Sequence, residues 1–240
     1  MAFAGMHLGN SSSALEASGS SELSAQVVLA PPLENFSLAL LNPANNTSPW
    51  AKLDTTPAVS AMDLPAKWVE LQSRISEDEA AIAACRLEQR ACSPAVLQFL
   101  SIVDLGRTRQ GRVRLGWINR AVNMAIKPVS DWVQYGIPDF WASPLQTLAS
   151  GGGDCEDYAV LKYIVLQQLG LPTQDLRLLV VQDGKRDVTH AVVAVRDGLD
   201  WLVLDNRTMT ILRATDLPYR PLFALDQYGS HSIATVAFQQ

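Results

Sequence analysis

Three consecutive glycines, Gly151 to Gly153, lead through Asp154 into the run CEDYAVLKYIVLQQLG, which stops at Gly170 with Pro172 just beyond. Asp at the cap position, Gly at the end and Pro past it bracket a helix. Within that helix Ala159, Leu161, Tyr163, Val165, Leu166 and Leu169 are all available for burial, so other elements have to pack around it. Upstream, Leu64, Trp68, Leu71 and Ile75 recur at helical spacing after Asp63 and Pro65. A second helix starts at Ser93-Pro94, with Val96, Leu97, Leu100 and Val103, and a third after Gly111, with Leu115, Ile118, Val122 and Ala125. Pro128, Pro138 and Pro144 then punctuate an irregular stretch whose Trp132, Phe140 and Trp141 are expected to anchor it around the central helix. Downstream, the segments 176–181, 188–196, 201–204 and 210–213 are rich in branched residues and separated by turn signals, which predicts strands. The order is an N-terminal helical layer, one central helix, then an antiparallel sheet: an α+β fold.

The ends are different in character. Seven of the residues from Ser11 to Ser24 are Ser and no Lys or Arg precedes Lys52, a composition that does not build a core. Residues 1–62 are therefore expected to be disordered or loosely attached, 63–228 to form the folded domain (63–150 a helical lobe, 151–228 the core helix and sheet), and 229–240 to be a tail. The start, MAFAGMHLGNSSS, lacks the basic region of a secretory signal. The most apolar uncharged run near it is broken by Pro43 and Pro49, so nothing there spans a bilayer. A net charge of −5 gives no basic footprint for nucleic acid.

Three cysteines, Cys85, Cys92 and Cys155, exclude a fully paired disulfide framework within the chain. In a continuous helix Cys85 and Cys92 would stand about 10 Å apart, too far to bridge unless the helix breaks between them; if they are bonded, the compartment is oxidising. Cys155 is the chemically suggestive one, because it falls in the first turn of the central helix, where unpaired N–H groups favour a thiolate. A lone cysteine is as often a small buried hydrophobe, so partners decide. Of three histidines, His7 lies in the Ser-rich start and His231 in the tail, which leaves His190 as base. The sequence around it, DVTHAVVAVRDGLDWLVLD, holds two strand-like runs about Asp197-Gly198. With those two as loop residues, Arg196 faces Leu199 and His190 lies opposite Asp205, with Cβ atoms about 4.5–5.5 Å apart. A Cys155–His190–Asp205 set results, suited to nucleophilic catalysis.

The segments GGGDCEDYAVLKYIVLQQLGLP, THAVVAV and WLVLDN resemble the bacterial transglutaminase-like cysteine proteinases of the LapG type, over roughly Arg112 to Tyr228. The resemblance implies a papain-like, transglutaminase-like fold with Cys155, His190 and Asp205 as catalytic triad. It further implies a periplasmic endopeptidase that cuts a large surface adhesin near its N-terminus and releases cells from a biofilm. An inner-membrane cyclic di-GMP receptor of the LapD type would hold it in check, and bound Ca2+ is implied beside the nucleophile. Asp154 and Glu156, with Asp139 as third, are the ligands this suggests. The residues also permit another role, since Asp154 at the N-cap and Asp157 at N3 could simply satisfy backbone N–H groups. A cation there has an electrostatic rationale, because carboxylates alone would raise the thiol pKa. The same triad would serve a transglutaminase-like acyltransferase, and the same cleft a catalytically idle binding module. Cys155 N–H is the expected oxyanion donor, Trp141 either lines the site or fills the core, Asn206 reads as a turn residue, and Lys162 and Tyr163 either pack or face solvent.

Overall fold

A computed structural model describes residues 64–226 and 229–232; the segment 1–62, Asp63 and the tail beyond Ser232 lie outside the described residues. Helix α1 (Leu64–Leu87) buries Trp68, Leu71, Ile75 and Ile82, the predicted stripe continued. It ends before a single 3-10 turn, and there the Cys85–Cys92 disulfide closes, with Cα atoms 4.6 Å apart. The bond is possible because the helix breaks between the two residues. Helix α2 (Pro94–Arg107) starts as the sequence predicts: Pro94 occupies the first turn, and the Ser93 hydroxyl accepts the Val96 N–H at 3.2 Å. Helix α3 (Gly111–Ala125) follows. The proline-rich stretch contains strand β1 (Lys127–Pro128), helix α4 (Asp131–Tyr135) and helix α5 (Pro144–Ser150). Strand β2 (Gly152–Gly153) pairs in parallel with β1.

Helix α6 (Cys155–Gln168) is buried at every position from Glu156 to Leu166, Lys162 and Tyr163 included. Both of those residues pack, and neither faces solvent. The six-stranded sheet has the order β6-β5-β4-β3-β7-β8, every neighbouring pair antiparallel. Its strands are β3 (Leu176–Asp183), β4 (Val188–Asp197), β5 (Asp200–Leu204), β6 (Leu212–Arg213), β7 (Tyr219–Asp226) and β8 (Gly229–Ser232). Alternation sorts the side chains. Leu176, Leu178, Val180, Val193, Val195, Leu202 and Leu204 join the core shared with the helices, whereas Leu179, Val181, Val192, Ala194, Trp201 and Val203 build a second cluster on the opposite face. Among the described residues no helix is long and apolar enough to cross a membrane.

Four sequence expectations need correction. The β4–β5 loop is Gly198-Leu199, not Asp197-Gly198, because Asp197 pairs with Asp200 and Val193 with Leu204. Gly198 takes φ +66°, the positive value that the first central position of a type II′ turn requires, so the register moves by two. The segment 217–228, where the sequence predicts no strand, contains β7, an interior strand beside β3. Pro218 and Pro221 disguise it: the β3–β7 register shifts between Val180, opposite Phe223, and Val181, opposite Pro221. An irregularity of this kind is where a strand tolerates proline. Trp132 is no anchor, being 67% exposed, whereas Trp141 is buried. The last predicted strand also shortens to β6, since 205–211 forms a turn.

Candidate active site

The tip of α6 is shaped by a glycine that nothing else can replace. A Cβ on Gly153 would lie 2.6 Å from Asp157 Oδ2 and 2.7 Å from its Cβ. Asp157 needs that proximity, because its Oδ2 accepts the Asp154 N–H at 3.3 Å and its Oδ1 the Ala142 N–H at 2.8 Å. Asp157 is thus the capping carboxylate the sequence allowed, and it also ties the 139–142 segment to the helix start. The Lys127 and Val129 N–H groups donate to the Gly151 and Gly153 carbonyls, each at 3.0 Å, and hold the glycine loop from the other side.

Cys155, half-buried, opens onto a cavity of about 670 Å3 lined among others by Leu64, Asp139, Trp141, His190 and Phe223. Trp141 therefore does both things the sequence left open, lining the cavity and joining the core. The Ala191 N–H donates to the sulfur. The sulfur also lies 3.1 Å from Glu156 Oε2. Burial and then the Glu156 carboxylate push the thiol pKa well up, so in the ion-free molecule the helix N-terminus does not by itself yield a thiolate.

His190, 1% exposed, comes from β4. Beyond the end of the β4–β5 ladder the chain bearing Asp205 turns, and Asp205 Oδ1 meets His190 Nε2 at 2.8 Å. The predicted neighbours do come together, though by a route other than direct strand pairing. His190 Nδ1 is buried with no hydrogen-bond partner among the described residues. With Nε2–H donating to Asp205, Nδ1 carries the free lone pair of a neutral ring. Burial raises the Asp205 carboxyl, but hydrogen bonds from His190, Arg207 N–H (2.9 Å) and Tyr219 OH (2.6 Å) outweigh it and hold the pKa at about 2. The Asp205 turn is held from α3: Asn119 and Asn123 donate to the Thr208 carbonyl at 2.8 and 2.9 Å, and Asn123 to that of Asp205 at 3.0 Å.

The carboxylates gather on the other side of the sulfur. Oxygens of Asp131, Asp154 and Glu156 lie within 4.8 Å of one another. Asp131 Oδ1 and Asp154 Oδ1 are buried and have no hydrogen-bond partner among the described residues. An all-oxygen, anionic donor set with orphaned buried atoms fits a hard divalent cation such as calcium. Burial raises the carboxyl pKa values here, that of Asp131 to about 6 and that of Glu156 further still with help from Asp154. Asp139 is not one of these three: it neighbours Asp131 and Asp154 but is engaged by Lys67 and accepts the Trp141 Nε1–H at 2.9 Å. Asp131, at the start of the five-residue α4, was not singled out from the sequence, where a Ser-Asp pair among prolines looks like any loop. Tyr219 and Arg207 were missed as well, each concealed in a segment read as loop.

A model of the bacterial transglutaminase-like cysteine proteinase family matches residues 66–237. Among solved structures, Legionella pneumophila LapG is similar at 24% identity and a TM-score of 0.53, over 64% of this chain and 86% of that one. The EGTA-treated form of Legionella pneumophila LapG matches at 23% identity and a TM-score of 0.55, over 68% of this chain and 88% of that one. These likenesses establish a shared mixed fold of helices and antiparallel sheet. No curated protein sequence matches the chain.

Proposed function

This chain belongs to the bacterial transglutaminase-like cysteine proteinases, and from that membership we propose a calcium-dependent cysteine endopeptidase that cuts a large cell-surface adhesin near its N-terminus. The observation that carries the reading is the oriented imidazole: Nε2 is fixed on a carboxylate and Nδ1 is unpartnered, in a side chain that lines the same cavity as Cys155. In the reaction His190 Nδ1 takes the Cys155 thiol proton, and the resulting thiolate attacks the peptide carbonyl carbon. His190 gives its proton to the leaving amine as the C–N bond breaks and a thioester forms. Water, losing a proton to His190, then hydrolyses the thioester and returns the thiol. Asp205 keeps the ring in the Nε2–H tautomer and faces the imidazolium when it forms. The Cys155 N–H serves as one oxyanion donor.

Asp131, Asp154 and Glu156 are the residues that would hold calcium. When bound, the ion supplies positive charge that offsets the Glu156 carboxylate beside the sulfur. The Cys85–Cys92 disulfide supports a periplasmic site of action, since such bonds persist in oxidising compartments. The adhesin as substrate, biofilm release and restraint by an inner-membrane cyclic di-GMP receptor of the LapD type rest on family likeness.

The test is incubation of the purified chain with an adhesin N-terminal fragment and a labelled amine, in calcium or in chelator, alongside Cys155→Ala. Cleavage that needs calcium and Cys155, without amine incorporation, is the expected result. Incorporation without cleavage would replace the peptidase by an acyltransferase. Interaction with the fragment unchanged in Cys155→Ala, with neither reaction, would leave a binding module.

A further inference from the structure

Tyr219 lies in a segment whose prolines disguise it as a loop, yet it touches both halves of the proposed base. Its hydroxyl donates to Asp205 Oδ2 at 2.6 Å, while its ring meets the His190 imidazole edge-on, with centroids 5.8 Å apart and planes at 69°. The residue is 7% exposed, so the hydroxyl has no bulk water to bond instead. Asp205 Oδ1 already receives His190 Nε2–H and the Arg207 N–H. The Tyr219 bond therefore occupies the other oxygen and fixes the rotation of the carboxylate about its Cβ–Cγ bond.

The placement is not incidental to one side chain. Tyr219 pairs across the sheet with Asp183, and Asp183 Oδ2 accepts Arg207 Nη1 at 2.8 Å. Arg207 in turn gives its N–H to Asp205. Asp183, Arg207, Asp205 and Tyr219 thus close a ring of contacts around the carboxylate. Burial together with the anionic Asp205 raises the phenol pKa, so the hydroxyl stays protonated and remains a donor throughout the working range.

We propose that Tyr219 is a positioning residue for the base, its hydroxyl locking Asp205 so that the carboxylate holds His190 in the Nε2–H tautomer, while its ring keeps water from the Nε2–H···Oδ1 bond. The proposal rests on the reading of His190 as base, and its first test needs no peptidase activity. Imidazole 15N and 1H resonances of His190, identified by their loss in His190→Gln, are recorded for the full chain with calcium. The expected wild-type signature is a neutral ring in the Nε2–H form with a slowly exchanging proton. In Tyr219→Phe, which keeps the ring and removes only the hydroxyl, that proton exchanges with water about tenfold faster, the equivalent of one charge-assisted hydrogen bond. On the adhesin fragment kcat falls by about the same factor while KM stays within about twofold.

An unchanged tautomer and exchange rate in a folded Tyr219→Phe would overturn the proposal. So would faster exchange shared equally by amides across the sheet, since that reports loosened packing. If the variant does not fold, the unmodified protein decides, because a slowly exchanging Tyr219 hydroxyl proton with a nuclear Overhauser contact to the His190 ring is required and its absence refutes the idea. A chain that gives the tautomer result but cuts no peptide keeps Tyr219 in this role and loses only the proposed function.

Discussion

A carboxylate 3.1 Å from a thiol opposes ionisation of that thiol, and Cys155 has Glu156 at that distance. A cation held by Asp131, Asp154 and Glu156 relieves the conflict, which makes the identity of the third ligand testable. Asp131→Asn should weaken calcium binding by at least about tenfold by titration calorimetry, because it removes one of few anionic ligands. Asp139→Asn should leave calcium affinity near its wild-type value and act only through the lost Lys67 and Trp141 contacts. Asp139 was the third ligand named from the sequence, and Asp131 carried no local pattern to mark it; what separates them is which carboxylate the chain folds back onto α6. Lys162 is a second residue whose environment the sequence did not reveal. It is fully buried with its Nζ unbonded among the described residues, and burial, partly offset by Asp205, lowers its pKa to about 7. Between pH 7 and the ordinary lysine value the unfolded chain binds the extra proton, so stability rises with pH there and the full penalty applies below pH 7. Lys162→Met should therefore stabilise the protein by roughly 1–4 kcal/mol near pH 6, a gain that fades toward pH 10. Chemical denaturation across that range measures it.

Among the elements, those with an unambiguous period and punctuation were legible: α1, α2, α3 and α6 lie where their apolar stripes and caps put them, and β3, β4 and β5 where branched residues cluster. Strand β7 was not legible, because Pro221 argues against a strand unless the neighbouring strand accommodates it through a register shift, and that shift exists only in the pairing with β3. The β4–β5 turn was misplaced by one residue because Asp-Gly and Gly-Leu both support tight hairpins. The His190–Asp205 pair survived the slip, since a shift of two keeps each side chain on its face. The end of α1 presents a similar case, in which the helix break that permits Cys85–Cys92 is invisible in a seven-residue spacing. That bond closes a short loop, so the chain-entropy argument gives it about 2–3 kcal/mol. Cys85→Ser/Cys92→Ser should lower the urea midpoint accordingly with little change in slope, while reductant should shift the wild type and leave the double variant unmoved.

At the scale of the whole molecule, the helical layer and the sheet meet at the tip of α6, and polar links hold α1 to the 139–145 segment beside it. Arg74 donates to the Trp141 carbonyl at 2.8 Å, Asp78 accepts the Leu145 N–H at 2.8 Å, and Trp68 Nε1 reaches the Asp226 carbonyl in β7 at 3.0 Å. The carboxylate group lies beside that tip, with Asp131 from α4 and Asp154 and Glu156 from the start of α6. Calcium bound there would tie α4 to the start of α6, and ligand linkage would raise stability by about 2.7 kcal/mol at a hundredfold excess over Kd. The pH dependence has a definite sign. In the ion-free chain burial lifts Asp131 to about 6 and Asp157 to about 7, whereas the same groups unfolded release their protons near pH 4. Between those values the folded state holds more protons, so the contribution of these carboxyls to ion-free stability falls as pH rises from about 4 to about 7. Calcium binding to deprotonated carboxylates runs the opposite way, strengthening over that interval. Scanning calorimetry in chelator and in calcium should show melting temperatures that lie close together at pH 5 and separate by several degrees at pH 8. A gap of constant size across that range would mean that the ion, if it binds, does not bind these buried carboxylates.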